Sequence, residues 1–521
     1  MLIDANSLSS ETLVTEVCIV GGGPAGITLA RQLAAEGLRV LVAESGGIAS
    51  EEAANQLNAI DYTSNFTYRP HHTNRCRQVG GTANLWAGRV VSFQFHPVLD
   101  REWGTLPALL EASKSRAHAT LGIAQRFVAA CPVSEGEVVS LWGKKIERFN
   151  RRSTHLRAGD FELVYHLTYR AKATERQGRF TAFEFQAANG RSITVEAAYF
   201  VLAAGGIENA RTLLLMEEVL KPRMGANFRN VGKYLMDHPK IVHGSFYFEN
   251  FPASLQKLKM QVAKEGKLKY GLKRVNPRTG VRAYANLIET EPTLLSKWFT
   301  QAMSLYKRVK KNLSGPGALP EPSQRIPSVH LESKELIPHA FLYRLRSLAL
   351  FSKKKDNWFR VVCYVEQRPE AANRMVLRHD TPDAHGLPTP ELHMRLGPEA
   401  MEEAVQLYRD LQRHMAALGG TLTFQEQALR TSANYTDASH HLGGTRYSID
   451  RDRAVVDESL RVIGCPNLFV VGSSVFPTGS VENPTHLIVN LAHYLASVIV
   501  EEHRTAALSA NETAILKASG R

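Results

Sequence analysis

The spacing Gly21-x-Gly23-x-x-Gly26 is that of a turn built to hold a pyrophosphate. Gly21 makes the tight turn, Gly23 lets backbone approach the phosphates, and Gly26 lets the following helix pack closely on the strand before it. The first N–H groups of that helix then face the anion. Glu44 ends the next apolar run, where a carboxylate can accept from a ribose 2′-hydroxyl; it disfavours a 2′-phosphate and so argues against NADP. The motif leaves NAD and FAD both open. Its place at the start of a 521-residue chain, with further glycine-rich turns downstream, suits a long flavin dinucleotide threaded through one domain.

The elements that must position these glycines can be read around them. Residues 14–20 are expected as a strand, 24–36 as a helix closed by Gly37, and 39–43 as a second strand, which together make a βαβ unit. A second patch, Gly80-Gly81-Thr82-Ala83-Asn84-Leu85-Trp86-Ala87-Gly88, follows a stretch rich in His, Arg and Asn. A third, Ala203-Ala204-Gly205-Gly206-Ile207-Glu208-Asn209, follows the apolar run 199–202. The segment from 437 to 500 carries His440-His441-Leu442-Gly443-Gly444-Thr445, then Gly472-Ser473-Ser474, then Asn483-Pro484-Thr485 opening a helix with apolar positions Leu487, Ile488, Leu491, Leu495 and Val498. Pro484 fits the first helical position after an Asn cap. The positive end of that helix, aimed at a flavin's pyrimidine end, would stabilise the anion that forms on reduction.

Between about 240 and 430 the chain changes character, with strand-like runs at 242–248 and 360–365, proline-containing turns and basic amphipathic stretches. The two ends therefore read as one domain and the middle as an insertion. The expected fold is α/β, a Rossmann-like FAD-binding domain with an inserted α+β substrate-binding domain built on an antiparallel sheet. Its expected parts are a first FAD-binding part at 1–105, a mixed segment at 106–190, a second FAD-binding part at 191–240, the substrate-binding domain at 241–430, a C-terminal FAD-binding part with the catalytic residues at 431–505, and a tail at 506–521.

These motifs resemble the glucose-methanol-choline (GMC) flavoprotein oxidoreductases. The likeness rests on the N-terminal turn, Gly80-Gly81-Thr82-x-Asn84, Ala204-Gly205-Gly206-Ile207, Gly232-Lys233-Tyr234-Leu235-Met236-Asp237-His238-Pro239 and the whole 437–500 segment. Glu366-Gln367-Arg368-Pro369, Asn373-Arg374 and Asp383-x-x-Gly386-x-Pro388 look most like the pyranose oxidase and glycoside 3-dehydrogenase branch. The resemblance implies FAD as cofactor, with contacts from Gly21, Gly23, Gly26, Glu44, Gly81, Thr82, Asn84, Ala204, Gly205, Gly472, Ser473, Asn483, Pro484 and Thr485. It implies a catalytic pair of His441 and Asn483. A neutral imidazole suits removal of a hydroxyl proton, and an adjacent amide can hold the hydroxyl without competing as a base. His441 is then the base, Asn483 its positioning partner, His440 a structural histidine, and His238 a turn residue near the domain junction. Two positions depart from the family pattern. Leu85 stands where pyranose oxidases carry a flavin-linking histidine, so the flavin is expected to be non-covalent, and His486 stands where an apolar residue is usual. The implied reaction is oxidation of a CH–OH group, of a sugar or glycoside in preference to a sterol, aryl or choline-like alcohol.

Composition bounds the rest. Hydrophobic residues make 44% and charged residues 22%, which excludes a largely disordered or coiled-coil chain. The net charge of +13 lies conspicuously in 257–355, where Trp298, Phe299, Met303 and Tyr306 alternate with Lys297, Lys307, Arg308, Lys310 and Lys311, and Lys353-Lys354-Lys355 follows 341–351. Such a stretch either packs its apolar side on the substrate domain or lies on an anionic bilayer. No nucleic-acid-binding module is recognisable. Five scattered cysteines offer no disulfide framework or zinc spacing, so no metal is expected. No secretory signal or spanning run is read, and the expectation is a cytoplasmic, soluble or at most peripheral enzyme. The electron acceptor is left open; an intracellular setting favours a dehydrogenase over a peroxide-releasing oxidase.

Overall fold

The computed structural model describes the chain except for residues 92, 94, 97–99, 124–136, 144–145, 154–155, 157–160, 249–265, 277, 279–280, 290–357 and 519–521. The basic stretches singled out at 297–355 lie outside the described residues.

Continuous apolar runs form the centre of the first sheet, because its strands are covered on both faces. Its six parallel strands stand in the order β1 (Leu2–Asp4), β7 (Glu162–Tyr165), β4 (Val40–Glu44), β3 (Val17–Val20), β11 (Tyr199–Leu202) and β19 (Leu468–Val470). Val17–Val20 and Tyr199–Leu202 are buried at every position. The single strand expected at 14–20 is split in two. β2 (Thr12–Val14) leaves for a four-stranded sheet with β10 (Ser192–Glu196), β9 (Arg179–Ala187) and β8 (Leu167–Arg176). The break falls at Thr15 and Glu16, whose side chains turn to the backbone of Arg39.

The second large sheet is antiparallel, in the order β18 (Gly420–Thr423), β12 (Lys240–Phe248), β15 (Trp358–Val365), β14 (Arg282–Glu289), β13 (Gly266–Val275) and β6 (Glu137–Gly143). A three-stranded ribbon, β16 (Arg374–Pro382), β17 (Pro388–Met394) and β5 (Asp61–Ser64), brings a strand from near the N-terminus beside the middle of the chain. The architecture is the one expected, a Rossmann-like parallel sheet with a separate antiparallel sheet.

The longer helices among the described residues are α1 (Pro24–Ala35), α2 (Leu106–Thr120), α3 (Gly205–Leu215), α4 (Pro398–Ala417) and α5 (Thr485–Ala518). In α4, Ala400, Ala404, Leu407, Tyr408, Leu411 and Met415 recur at helical spacing, are buried, and face the antiparallel sheet. Residues 506–518, expected as a tail, continue α5. No helix among the described residues is long and apolar enough to cross a membrane.

A buried polar hub joins the two sheets. Arg282, 1% exposed, donates through Nη2 to Asp100 at 2.6 Å and through Nη1 to Glu366 at 3.1 Å. Asp100 also accepts from Thr478 Oγ1 at 2.6 Å, and Glu366 from the Ser480 N–H at 2.7 Å. The loop that leads to Asn483 is thereby pinned to the antiparallel sheet.

Helix α5 lies between α1 and α2. Towards α2 it presents buried polar groups: Asn490 accepts from Ser113 at 2.6 Å and donates to the Leu110 carbonyl at 3.0 Å, and His486 lies ring against ring with His118 at 4.1 Å. Burial holds His486 down to about 3 and His118 down to about 4. The unfolded chain therefore takes up a proton on His486 below about pH 6.5 that the folded chain refuses, so this contribution to stability is present above that pH and lost as pH falls towards 3. By pH 5 the loss is about 2 kcal/mol. His486→Leu is expected to narrow the gap between denaturant stability at pH 7.5 and at pH 5 by that amount; an unchanged gap contradicts the assignment.

Candidate active site

The glycine-rich turns collect at the C-terminal ends of β3, β11 and β19, where open parallel sheets bind ligands. Gly21 has φ of +110°, and a Cβ there would meet the Ala203 carbonyl oxygen at 2.6 Å. A Cβ on Gly26 would meet the Gly21 carbonyl oxygen at 2.0 Å, so helix and turn can touch only as glycines. Gly23 and Gly205 behave differently, since a Cβ on either meets nothing within 4 Å. The second patch closes on the first: the Gly80 N–H donates to the Gly22 carbonyl at 2.8 Å, and a Cβ on Gly81 would lie 3.1 Å from Gly23 Cα. Open space against Gly23 and Gly205, beside a ring of backbone turns, fits the pyrophosphate of FAD.

Glu44 is buried and accepts from the N–H groups of Gly22 and Gly46, each at 2.8 Å. Burial pushes its carboxyl up from the usual value, and the two N–H donors and Arg77 pull it back. Asn84 spends its amide on the carbonyls of Val79 at 3.1 Å and Gly81 at 2.9 Å, closing its own turn, while Thr82 and Leu85 are exposed. The Ala204 N–H donates to Asn209 Oδ1 at 2.8 Å, and the Asn209 amide reaches Ser474 Oγ at 3.0 Å. Asn209 thus clips the third patch to the Gly472-Ser473 turn; its conspicuous place in the third patch was the signal for it. Ser473 Oγ donates to the His441 carbonyl at 2.7 Å.

The expected pairing of His441 with Asn483 is not the contact that the fold makes. His441 is buried, its Nε2 has no hydrogen-bond partner, and burial, then Arg75, hold it down to about 4 against the pull of Asp437. Asn483 Nδ2 instead lies 3.1 Å from His440 Nε2. Asn483 Oδ1 accepts from Arg89 Nε at 2.7 Å, and the Arg89 guanidinium sits over the rings of Tyr284 and Tyr364 at 5.6 and 5.3 Å. Nor does Asn483 cap the helix: α5 starts at Thr485, and the Pro484 carbonyl takes the N–H of Ile488 at 2.9 Å.

Behind His440 stands His238, buried completely, with Nδ1 at 3.0 Å from His440 Nδ1 and Nε2 at 3.0 Å from the Gly479 carbonyl. The turn is organised by Asp237, whose Oδ1 accepts from the N–H groups of His238, Ala438 and His440 at 2.6, 3.1 and 3.3 Å. Burial and the neighbouring Asp437 push Asp237 up to about 7. Burial, then His238 and Arg89, hold His440 well below its ordinary value, so its ring is neutral at pH 7. Sequence reasoning took His238 and His440 as structural and did not pick out Arg89, Tyr284 or Tyr364; the Asp-His-Pro run was the one available signal for His238.

The cradle is testable by two alanines. Gly23→Ala is expected to fold as the native chain does and to lose FAD affinity by at least about tenfold, because its methyl group enters the open space. Gly26→Ala is expected to lower the thermal midpoint of the protein itself. Equal FAD affinity for Gly23→Ala and the native chain, measured by flavin fluorescence titration, would place the phosphates elsewhere.

The family model described as GMC oxidoreductase matches residues 369–492, and that described as FAD dependent oxidoreductase matches residues 16–230. Over 341 residues the chain is 25% identical to the fructose dehydrogenase large subunit of Gluconobacter japonicus, covering 64% of this chain and 52% of that one. Over 130 residues it is 30% identical to pyranose 2-oxidase of Lyophyllum shimeji, covering 25% and 20%. The match thus spans about half the length of the first relative and a fifth of the second. Among solved structures, a variant of formate oxidase from Aspergillus oryzae RIB40 superposes with a TM-score of 0.55 at 15% identity, covering 95% of this chain and 100% of that one. Pyridoxine 4-oxidase from Mesorbium loti gives 0.54 at 16%, covering 93% and 98%. These two share the fold. A segment that matches the FAD dependent oxidoreductase model begins the parallel sheet, and one that matches the GMC oxidoreductase model completes it.

Proposed function

We propose that the chain oxidises a CH–OH group of a sugar or glycoside to the carbonyl, with His440 taking the hydroxyl proton and Asn483 holding the hydroxyl. The observation that carries this reading is the 3.1 Å contact between Asn483 Nδ2 and the Nε2 of a neutral, partly exposed His440. FAD, held by the glycine-rich turns, would supply the acceptor for the hydride and so for both electrons. The hydroxyl proton goes to His440 Nε2, and the Asn483 amide turns to the hydroxyl oxygen. Arg89 anchors that amide through Oδ1, so its Nδ2 stays on the side of His440 Nε2, within reach of both that nitrogen and the hydroxyl oxygen. His441, the base that the resemblance implies, is buried with its Nε2 unpaired.

Sugars are favoured over other alcohols by the names of the two curated relatives and by the Glu366-Gln367-Arg368-Pro369 and Asp383-x-x-Gly386-x-Pro388 stretches. The Arg89 cation beside Asn483 suits a hydroxyl-rich ligand. We read FAD as held through Gly21, Gly23, Gly26, Glu44, Gly81, Ala204, Gly205, Gly472 and Ser473. We read it as non-covalent, because Leu85 offers no nucleophile.

The test is anaerobic bleaching of the bound flavin by D-fructose, D-glucose, methyl glucoside, benzyl alcohol and choline. Bleaching by the sugars is expected; bleaching by benzyl alcohol or choline alone contradicts the sugar reading. His440→Ala is expected to slow reduction by about 10²- to 10⁴-fold with FAD still bound. Native-rate bleaching in that variant, with loss in His441→Ala, moves the base to His441. Acid precipitation is expected to release all the yellow colour, and faster reoxidation by a quinone than by air is expected of a dehydrogenase.

A further inference from the structure

We propose that His238 is a positioning residue that fixes the tautomer of His440, so that the bare nitrogen of His440 is the one facing Asn483 and the substrate hydroxyl. The proposal rests on the reading of His440 as base, and the argument for it follows hydrogens along one chain of contacts. The Gly479 carbonyl can only accept, so His238 Nε2, 3.0 Å from it, carries the hydrogen. A neutral His238 then has a bare Nδ1. That nitrogen faces His440 Nδ1 at 3.0 Å, so the hydrogen of that contact belongs to His440. His440 Nε2 is left bare and accepts from the Asn483 amide at 3.1 Å, whose oxygen accepts from Arg89 Nε at 2.7 Å. Every donor in the row from Arg89 to Gly479 meets an acceptor, and reversing any one member would set two hydrogens or two lone pairs against each other.

Neutrality of His238 is supported by its surroundings. It is completely buried, burial holds it down to about 4, and Arg89 and Arg282 push in the same direction, against the pull of the Gly479 carbonyl and Glu482. Around His440 the charged and titratable groups are His238, Arg89, Lys240 and His441, all of which disfavour a second proton, and Asp237, whose carboxylate accepts the His440 backbone N–H. The role continues through the reaction. When the hydroxyl proton moves to His440 Nε2, the Nδ1–H of the resulting cation still donates to His238 Nδ1, so one lone pair serves both states. No bond to His238 forms or breaks.

The experiment compares the FAD-loaded native enzyme with His238→Leu, His238→Asn and His440→Ala. Anaerobic flavin reduction is followed from pH 5 to 9 with D-fructose or D-glucose, whichever bleaches the native flavin faster. Leucine removes the acceptor; asparagine offers an amide oxygen near the position of Nδ1. In His238→Leu the limiting reduction rate is expected to fall about 10²-fold, with the half-saturating sugar concentration changed less than about threefold and the acid limb of the pH profile displaced. His238→Asn is expected to return to within about tenfold of the native rate. Native-rate reduction in His238→Leu overturns the proposal, as does a His238→Asn enzyme that is as slow as His238→Leu with the native pH profile. Loss of FAD from both variants alike does the same, since it marks a purely structural residue. His440→Ala separates the two readings: if it reduces at the native rate, the base assignment itself fails, whereas if it is inactive and His238→Leu is not, only the role of His238 fails.

Discussion

The placement of Arg282 between two carboxylates, out of reach of water, is the constraint on which the active site depends. A guanidinium 1% exposed is tolerated because Asp100 and Glu366 both meet it, and each carboxylate has further donors from Thr478 or Ser480. Burial raises the Glu366 carboxyl to about 7 while Arg282 pulls it down; the geometry supplies it only with donors, which suits the ionised form. Such a hub adds little net stability compared with apolar packing of equal volume, but any partner left alone in it would be costly. Its consequence is geometric. Asp100 comes from the segment after the second patch, Arg282 and Glu366 from the antiparallel sheet, and Thr478 and Ser480 from the loop before Asn483, so one guanidinium sets the three against each other.

The next layer is built the same way around Asp237. Its Oδ1 gathers three backbone N–H groups from two segments about 200 residues apart and so docks the 438–440 segment against residues 237–239. Met236 and Leu442 complete the junction through a mutual pair of backbone bonds at 2.9 Å. Only after this docking do His238 and His440 face each other. The site is thus held by backbone bonds to a buried carboxylate, and burial keeps both of its imidazoles uncharged.

The parts of the molecule legible in the sequence are those with a local cause. A glycine that must have φ of +110°, or that must let a carbonyl approach to 2.0 Å, betrays itself by type and spacing, and so the turns at Gly21, Gly26 and Gly80 were readable. Doubly covered parallel strands show as continuous apolar runs, which gave 17–20 and 199–202. The split at Thr15 was not readable, because it follows from side chains bonding to Arg39 across the sheet. Asn84 and Thr82 illustrate a different limit. They share a patch with Gly81, yet Asn84 is consumed by its own turn and Thr82 points to solvent.

Two adjacent histidines, His440 and His441, carry the sharpest contrast. Neighbouring side chains on an extended backbone point to opposite sides, so a shift of one position exchanges the face that each residue serves. Ser439, at φ of +62°, turns the chain just before the pair, and Asp237 fixes the result. By itself the sequence determined a parallel sheet and its glycine turns, because these needs are met within a few residues of each motif. Only the tertiary structure decided which histidine meets Asn483, which nitrogen it presents, and that Arg89, Tyr284 and His238 stand beside it. Those contacts join residues up to about 400 positions apart, and no spacing along the chain encodes them.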